Sequence, residues 1–140
     1  MNVIVDLEHT ITNAWHRLDK RTELRLKGTF NKEFRNDRPN ENIIMFIRQL
    51  MDNDNFVIIL SAKKEEYKFD VSNWLSLHKV PYSQLIMKPN GMSDTITPDE
   101  FKEQCLSIIG MKIDFALDDV GRNCAMFAKN NIPCLRIEQR

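Results

Sequence analysis

Apolar residues along the chain fall into short continuous runs separated by longer amphipathic stretches. Asn2 to Val5 is brief, β-branched and followed at once by acids, which predicts a buried strand ending in a polar loop. Phe56 to Leu60 repeats the pattern and is ended by Ser61. Ile113 to Leu117 is apolar apart from Asp114 and is ended by Asp118 and Asp119. Cys134 to Ile137, after Pro133, and the shorter Leu85 to Met87 complete the set of predicted strands.

Between them the spacing is helical. Asn42 to Met51 places Ile43, Ile44, Ile47 and Leu50 on one face, with Asn40 as a candidate cap. Glu65 to His78 offers Phe69, Trp74 and Leu77 as its core stripe. Thr97, Pro98, Asp99 and Glu100 form a helix start with a Thr cap, Pro in the first position and acids in the first turn. That helix should run to about Ile109 and stop at Gly110. Val120 to Asn130 supplies the last one. Residues 11–40 show no clear period and read as an elaborated loop with one helix near Thr29 to Arg35.

Strands alternating with helices imply right-handed crossovers, and so a single α/β domain over residues 1–140: a Rossmann-like, doubly wound, mainly parallel sheet. In such sheets ligands bind beyond the carboxyl ends of the strands. Asp6, Ser61 and the Asp118-Asp119 pair would then converge on one edge.

Charge changes this picture only locally. Twenty basic and twenty acidic residues cancel, which excludes the uniform basicity of a protein that coats nucleic acid. Between His16 and Arg38, however, eight Lys or Arg face four acids. Two readings are open for that run, a solvated excursion or a lid that faces an anion. Three cysteines without CxxC spacing predict no disulfide partner and a reducing compartment. His9 and His16 have neither a cysteine nor a helically spaced histidine beside them, which argues against zinc. No apolar run approaches the ~20 residues of a membrane span, and MNVIVD has no leader character. The expected location is cytoplasmic, the host cytoplasm if the chain is phage-encoded.

Phosphoryl transfer to a carboxylate needs an oxygen nucleophile, a divalent cation, a proton donor for the leaving oxygen, and donors around the transferred group. Asp6 at the tip of the first strand is a candidate nucleophile. Glu8, two residues on and on the same side of an extended backbone, is a candidate proton donor. Ser61, ahead of a predicted helix, is also a natural N-cap, and a helix N-terminus suits a phosphate.

At these residues the chain resembles the haloacid dehalogenase-like (HAD) superfamily. Asp6-Leu7-Glu8-His9-Thr10 is similar to its DxDxT signature, Ser61 to its second motif, Lys102 to its third and Asp118-Asp119 to its fourth, in the same order. A closer likeness is to the phosphatase domain of phage-type polynucleotide kinase-phosphatases and their small stand-alone relatives. It rests on Leu85, Ile86, Met87 and Lys88, then Asp94, Lys102, the double aspartate, Arg122, Met126 and Phe127. Phe30, Phe34, Asp37 and Pro39 resemble a further pattern of that group.

The resemblance implies a HAD-like fold without a large cap domain and a Mg²⁺-dependent phosphatase in which Asp6 forms an aspartyl-phosphate. Asp6, Asp119 and the carbonyl of Glu8 would bind the metal, with Asp118 beside them. Glu8 would act as acid and base, Ser61 would hold phosphoryl oxygens, and Lys102 would balance the carboxylates. Thr10, Ala62, Lys88 and Arg122 are the implied substrate contacts, with Lys88 and Asp94 on a rim opposite residues 11–40. Two positions depart from the pattern. Glu8 stands where Asp is usual, moving the carboxyl group by ~1.5 Å, one carbon–carbon bond. His9 stands where Gly is common, and its bulk would narrow the pocket or contact substrate.

The expected substrate is a phosphorylated small molecule such as a nucleotide, or a nucleic-acid end, with Trp15 as a candidate for stacking on a base. The alternative is a catalytically impaired HAD-fold protein that binds a nucleotide or a protein partner. Kinase chemistry is not expected, since four glycines form no GxxxxGK[ST] loop.

Overall fold

The computed structural model describes residues 1–140. Strand β1 (Asn2–Val5) leads through a wide turn (Leu7–Ile11) to the two-residue β2 (Thr12–Asn13), helices α1 (Trp15–Leu18) and α2 (Arg21–Leu26), a 3-10 turn (Lys32–Asn36) and β3 (Arg38–Pro39). Helix α3 (Glu41–Asp52), β4 (Phe56–Lys64), a second 3-10 turn (Glu65–Tyr67), α4 (Lys68–Leu77) and β5 (Gln84–Lys88) follow. The chain ends with α5 (Pro98–Ile109), β6 (Phe115–Asp118), α6 (Gly121–Lys129) and β7 (Cys134–Arg136).

Five parallel strands form the main sheet in the order β5-β4-β1-β6-β7. Successive side chains alternate between its faces, so each apolar run feeds two cores. Val3, Val5, Val57 and Ile59 pack with Ile44 and Ile47 of α3 and Val71 and Trp74 of α4. Ile4, Ile58, Leu60 and Ala116 pack with Phe101 and Cys105 of α5 and Met126 and Phe127 of α6. Burial on both faces is why these strands read as unbroken hydrophobic runs. The fold is therefore the expected doubly wound α/β sheet, with no large cap. From β1 the chain winds outward to β4 and β5, then returns to β6 on the other side of β1. The strand order thus reverses between β1 and β6, which is where a crevice opens in such sheets. No helix is long and apolar enough to cross a membrane.

Several local expectations change. β4 does not stop at Ser61 but continues to Lys64, with an irregular register against β5 between Ser61 and Lys64. Ser61 therefore caps no helix; its Oγ accepts a hydrogen bond from the backbone N–H of Lys63 (3.1 Å). In α4 the core face is Val71, Trp74 and Leu75, while Phe69 and Leu77 are 77% and 75% exposed. At about 100° per residue Phe69 and Val71 lie on opposite sides of the helix. The indole settles which side turns inward, because its N–H donates to the Asp37 carbonyl (2.9 Å) and its ring packs on Phe34. Asn40 precedes α3 but does not cap it; its side-chain amide donates to the Thr10 carbonyl (3.0 Å) and ties the turn after β1 to that helix.

Pro98 does begin α5 and Thr97 precedes it, but the Thr97 hydroxyl makes no capping hydrogen bond; Gly110 ends the helix in the left-handed region at φ 66°, a conformation that costs glycine nothing. Residues 11–40 are more ordered than an aperiodic loop. Thr12 pairs with Pro39 and Asn13 with Arg38 in an antiparallel bridge that closes the base of the excursion. The single helix expected near Thr29 to Arg35 is only the 3-10 turn at Lys32–Asn36, and regular helix lies earlier, in α1 and α2.

Candidate active site

Asp6 leaves β1 at the point of strand reversal, and its backbone N–H donates to the Leu117 carbonyl at the end of β6 (2.9 Å). That bond sets the Asp6 carboxylate beside Asp118. Lys102, fully buried on α5, reaches both: its Nζ lies 2.8 Å from Oδ1 of Asp6 and 2.7 Å from Oδ2 of Asp118. Thr10 Oγ1 is 3.1 Å from Asp6 Oδ2 and 3.3 Å from Asp119 Oδ1. The other oxygen of Asp118 accepts from the Val120 N–H (3.0 Å) and the Asn123 side chain (3.1 Å). Asp118 is thus saturated by protein donors, whereas Asp6 and Asp119 keep acceptor capacity toward solvent.

One ammonium cannot balance three carboxylates. Burial, and then the charge of Asp118, push the Asp6 carboxyl well above its ordinary range in spite of Lys102. Burial also raises Asp119. For Lys102 burial opposes the charge, but Asp6 and Asp118 outweigh it and hold the ammonium protonated. Asp6, Asp118 and Asp119 each offer an oxygen within 4.8 Å of the others'. A crowded all-oxygen set with excess negative charge suits a hard divalent cation such as Mg²⁺, so the residues present fit the expected metal.

The turn after Asp6 delivers Glu8. Glu8 is extended (φ −72°, ψ 125°), and His9 then reverses the chain in the left-handed region (φ 60°, ψ 21°). Glycine would adopt this without cost; His9 holds it through its ring. Nδ1 accepts from the Ala14 N–H (3.1 Å), so Nε2 carries the proton and donates to the Gln139 carbonyl (3.1 Å). The Glu8 carboxylate meets Arg17 Nη2 at 2.6 Å and Lys63 Nζ at 3.6 Å. Arg17 is itself clamped by Asp37, Nε to Oδ1 and Nη2 to Oδ2, both at 2.8 Å. Asp37 further accepts from Thr12 Oγ1 (2.8 Å) and faces His16 Nε2 (2.8 Å). A bidentate guanidinium–carboxylate pair with both members buried fixes direction as well as charge, so the position of Glu8 is set from Asp37 through Arg17. Burial lowers the Lys63 ammonium, which lies over the rings of Phe34 (5.0 Å) and Tyr67 (4.7 Å).

These groups border an open cleft of about 690 Å³. Asp6, Glu8, Ser61, Ala62, Lys102 and Asp119 all line it, as does His9. Arg21, Arg25, Lys63 and Lys64 add positive charge, and Phe30 and Tyr67 add ring faces. The basic run of residues 11–40 therefore faces the site, in part. Thr10 lies behind the carboxylates rather than in the opening. Two other candidates do not reach it. Lys88 is buried with its Nζ donated to the Ile96 carbonyl (3.1 Å), and Arg122 is exposed beside Asp99 (3.6 Å). Asp94 pairs with Lys64 (2.7 Å). Trp15 is 39% exposed and carries the Arg140 guanidinium 5.5 Å from its ring centre, outside the cleft. Trp15→Ala should leave mononucleotide affinity unchanged within about twofold in a direct titration, in contrast to the expectation from sequence.

Sequence reasoning missed the roles of Arg17, Lys63, Phe30 and Tyr67. Two consecutive lysines prolonging an apolar strand were the available signal for Lys63. For Arg17, spaced nine residues from Glu8 and twenty from Asp37, no periodic signal exists.

Over residues 1–140 the chain matches the family model described as the polynucleotide kinase PNKP phosphatase domain. No curated protein sequence matches it significantly. Among solved structures, a chain of the Pnkp1/Rnl/Hen1 RNA repair complex superposes with a TM-score of 0.74 at 20% identity, over 97% of this chain and 42% of that one. This chain thus spans less than half of that relative's length. A predicted phosphatase from Clostridium acetobutylicum gives a TM-score of 0.66 at 12% identity, over 96% and 83% of the two chains. A phosphoserine phosphatase described as a phospho-aspartyl intermediate analogue gives 0.56 at 14% identity, over 91% and 82%. At such identities these likenesses establish the fold.

Proposed function

Since this chain belongs to the polynucleotide kinase PNKP phosphatase domain family, within the HAD-type phosphatases, we propose that it is a Mg²⁺-dependent phosphomonoesterase acting through an aspartyl-phosphate on a phosphorylated nucleic-acid end or a nucleotide. The observation that carries this reading is the Asp6 carboxylate at a strand tip, 2.8 Å from Lys102 Nζ and open to the cleft that Glu8 also enters.

Asp6 attacks phosphorus and the bond to the leaving oxygen breaks. Glu8, held in place by Arg17, gives that oxygen a proton and then takes one from the water that hydrolyses the acyl phosphate. Ser61 Oγ already accepts from the Lys63 N–H, so its own proton is free for a phosphoryl oxygen, with the Ala62 backbone N–H beside it. Lys102 keeps Asp6 and Asp118 from repelling each other. Asp6, Asp119 and the Glu8 carbonyl, backed by Asp118, would hold Mg²⁺, which when bound offsets the repulsion between carboxylate and phosphate. Residues 11–40 serve as the lid, and Arg21, Arg25 and Lys64 are placed to meet further phosphates of a strand, with Phe30 and Tyr67 available to stack on bases. Thr10 acts by orienting Asp6 and Asp119.

The deciding experiment is phosphate release from 5′- and 3′-mononucleotides, 3′-phosphorylated oligonucleotides and sugar phosphates, each with and without Mg²⁺. No Mg²⁺-dependent release from any of them would reject the reading.

One feature favours a second reading, in which the cleft binds a nucleotide or partner without turnover: the Glu8 side chain is already committed to Arg17 and Lys63. Glu8→Gln separates the two. If Glu8 carries the proton, kcat on an alkyl phosphate should fall about 10²–10⁴-fold, and far less on an aryl phosphate whose leaving group needs no acid. Equal losses on both substrates would count against the proton-transfer role.

A further inference from the structure

Outside the cleft, behind the Asp118-Asp119 loop, Cys124 and Cys134 bring their sulfurs to 3.1 Å. Cys124 lies in the first turns of α6 and Cys134 is the first residue of β7, and both are half-buried. The third cysteine, Cys105, is buried on α5. A disulfide requires 2.03–2.05 Å between sulfurs, so closing this pair takes a movement of about 1 Å, within reach of side-chain rotation and a small approach of helix to strand. The two residues are ten apart in sequence, and Cys134 packs against the edge of the core formed by Ile4, Phe101 and Met126.

We propose that Cys124 and Cys134 are a thiol–disulfide modification site, closing to an intramolecular disulfide in the folded protein when it meets a low-molecular-weight disulfide. Burial pushes the Cys134 thiol up, so Cys124 makes the first attack on a sulfur of the oxidant RSSR, giving a mixed disulfide and one RSH. The other thiolate then attacks the protein sulfur of that mixed disulfide and expels the second RSH. The sum is dithiol plus RSSR giving protein disulfide plus two RSH. The short separation makes the second step intramolecular, so the mixed disulfide should not accumulate. The bond would join α6 to β7 beside the Asp118-Asp119 loop. Cys124 Sγ already lies 3.6 Å from the Asp118 carbonyl, and Arg136 Nε lies 3.4 Å from that of Asp119. As the sequence led us to expect, all three cysteines are free in this structure, and only an oxidant would join two of them.

The test is to treat the native protein with oxidised glutathione and measure free thiols, intact mass and melting temperature. Free thiols should fall from three to one with a mass loss of two hydrogens, and Tm should rise by roughly 5–10 °C, reversed by a dithiol reductant. Cys124→Ser and Cys134→Ser should each prevent the thermal gain and leave a stable glutathione adduct or an unreacted thiol, while Cys105→Ser should change neither result. Retention of all three thiols, a persistent adduct on the unsubstituted protein, or a Tm that falls on oxidation would overturn the proposal.

Discussion

Asp6→Asn should abolish phosphate release, by at least ~10⁴-fold in kcat, while making the metal-free protein more resistant to heat. Both effects come from one carboxylate. An amide is no nucleophile toward phosphorus, so the loss of turnover is unconditional if Asp6 forms the covalent intermediate. The stability gain follows from the sign of its titration. Burial and the neighbouring Asp118 raise the Asp6 carboxyl in the folded state. A group with a raised folded pKa supports folding fully below its unfolded value and loses that support as pH rises through the folded one. Above that range the ionised carboxylate is a burden that asparagine removes. The Tm difference between the two proteins should therefore be larger at pH 8 than at pH 5. Mg²⁺ should stabilise the unsubstituted protein by about 2.7 kcal/mol at a hundredfold excess over Kd, seen as a higher Tm, and do little for Asp6→Asn. Thermal melts at two pH values, with and without Mg²⁺, check this, and wild-type turnover in Asp6→Asn would end the mechanism.

Lys102→Met is the converse. It removes the only cation that touches both Asp6 and Asp118 and leaves two buried carboxylates facing each other. Breaking a buried ion pair from one side costs about 3–5 kcal/mol, which for a domain of this size is a fall in Tm on the order of 10 °C. Without the ammonium the Asp6 carboxyl is raised further, so stability should be retained in acid and lost as pH rises. The variant should approach the wild-type Tm near pH 4–5, close to ordinary carboxyl values, and diverge above. Mg²⁺ should restore part of the loss, because it occupies the same crowd of oxygens. A Tm deficit that stays constant from pH 5 to pH 8 would show that Lys102 matters for packing rather than charge.

What could be read from residues alone was whatever follows from strand tips and chain order. Asp6, Ser61, Asp118 and Asp119 each follow an apolar run, and a parallel sheet must bring such ends to one edge. Lys102 was legible only through its place between two motifs. The structure joins it to Asp6 across 96 positions, through packing of α5 against the sheet. The failures have equally specific causes. Phe69 and Leu77 were chosen by hydrophobicity, but α4 carries apolar residues on opposite sides, and the hydrogen bond that Trp74 donates to the Asp37 carbonyl decided between them. Ser61 was placed at a helix start because the apolar run ends there, although hydrogen bonding to β5 carries the strand on to Lys64. Lys88 and Arg122 were named by likeness; local partners, a carbonyl and an aspartate, hold them away from the cleft. The clamp of Asp37 on Arg17 joins points of an aperiodic stretch, where neither a period of two nor of 3.6 gives notice.

That clamp gives the excursion a second duty. Asp37 sits at its far end, next to the β2–β3 bridge, and Arg17 at its near end, so the mouth of the cleft and the aim of Glu8 are geared together. A ligand that wedges residues 11–40 apart would also turn Glu8, the proposed proton carrier, away from the scissile bond. Poorly fitting substrates should then be rejected mainly through slow turnover rather than through weak association, and fidelity would be seen in kcat where affinity shows little preference.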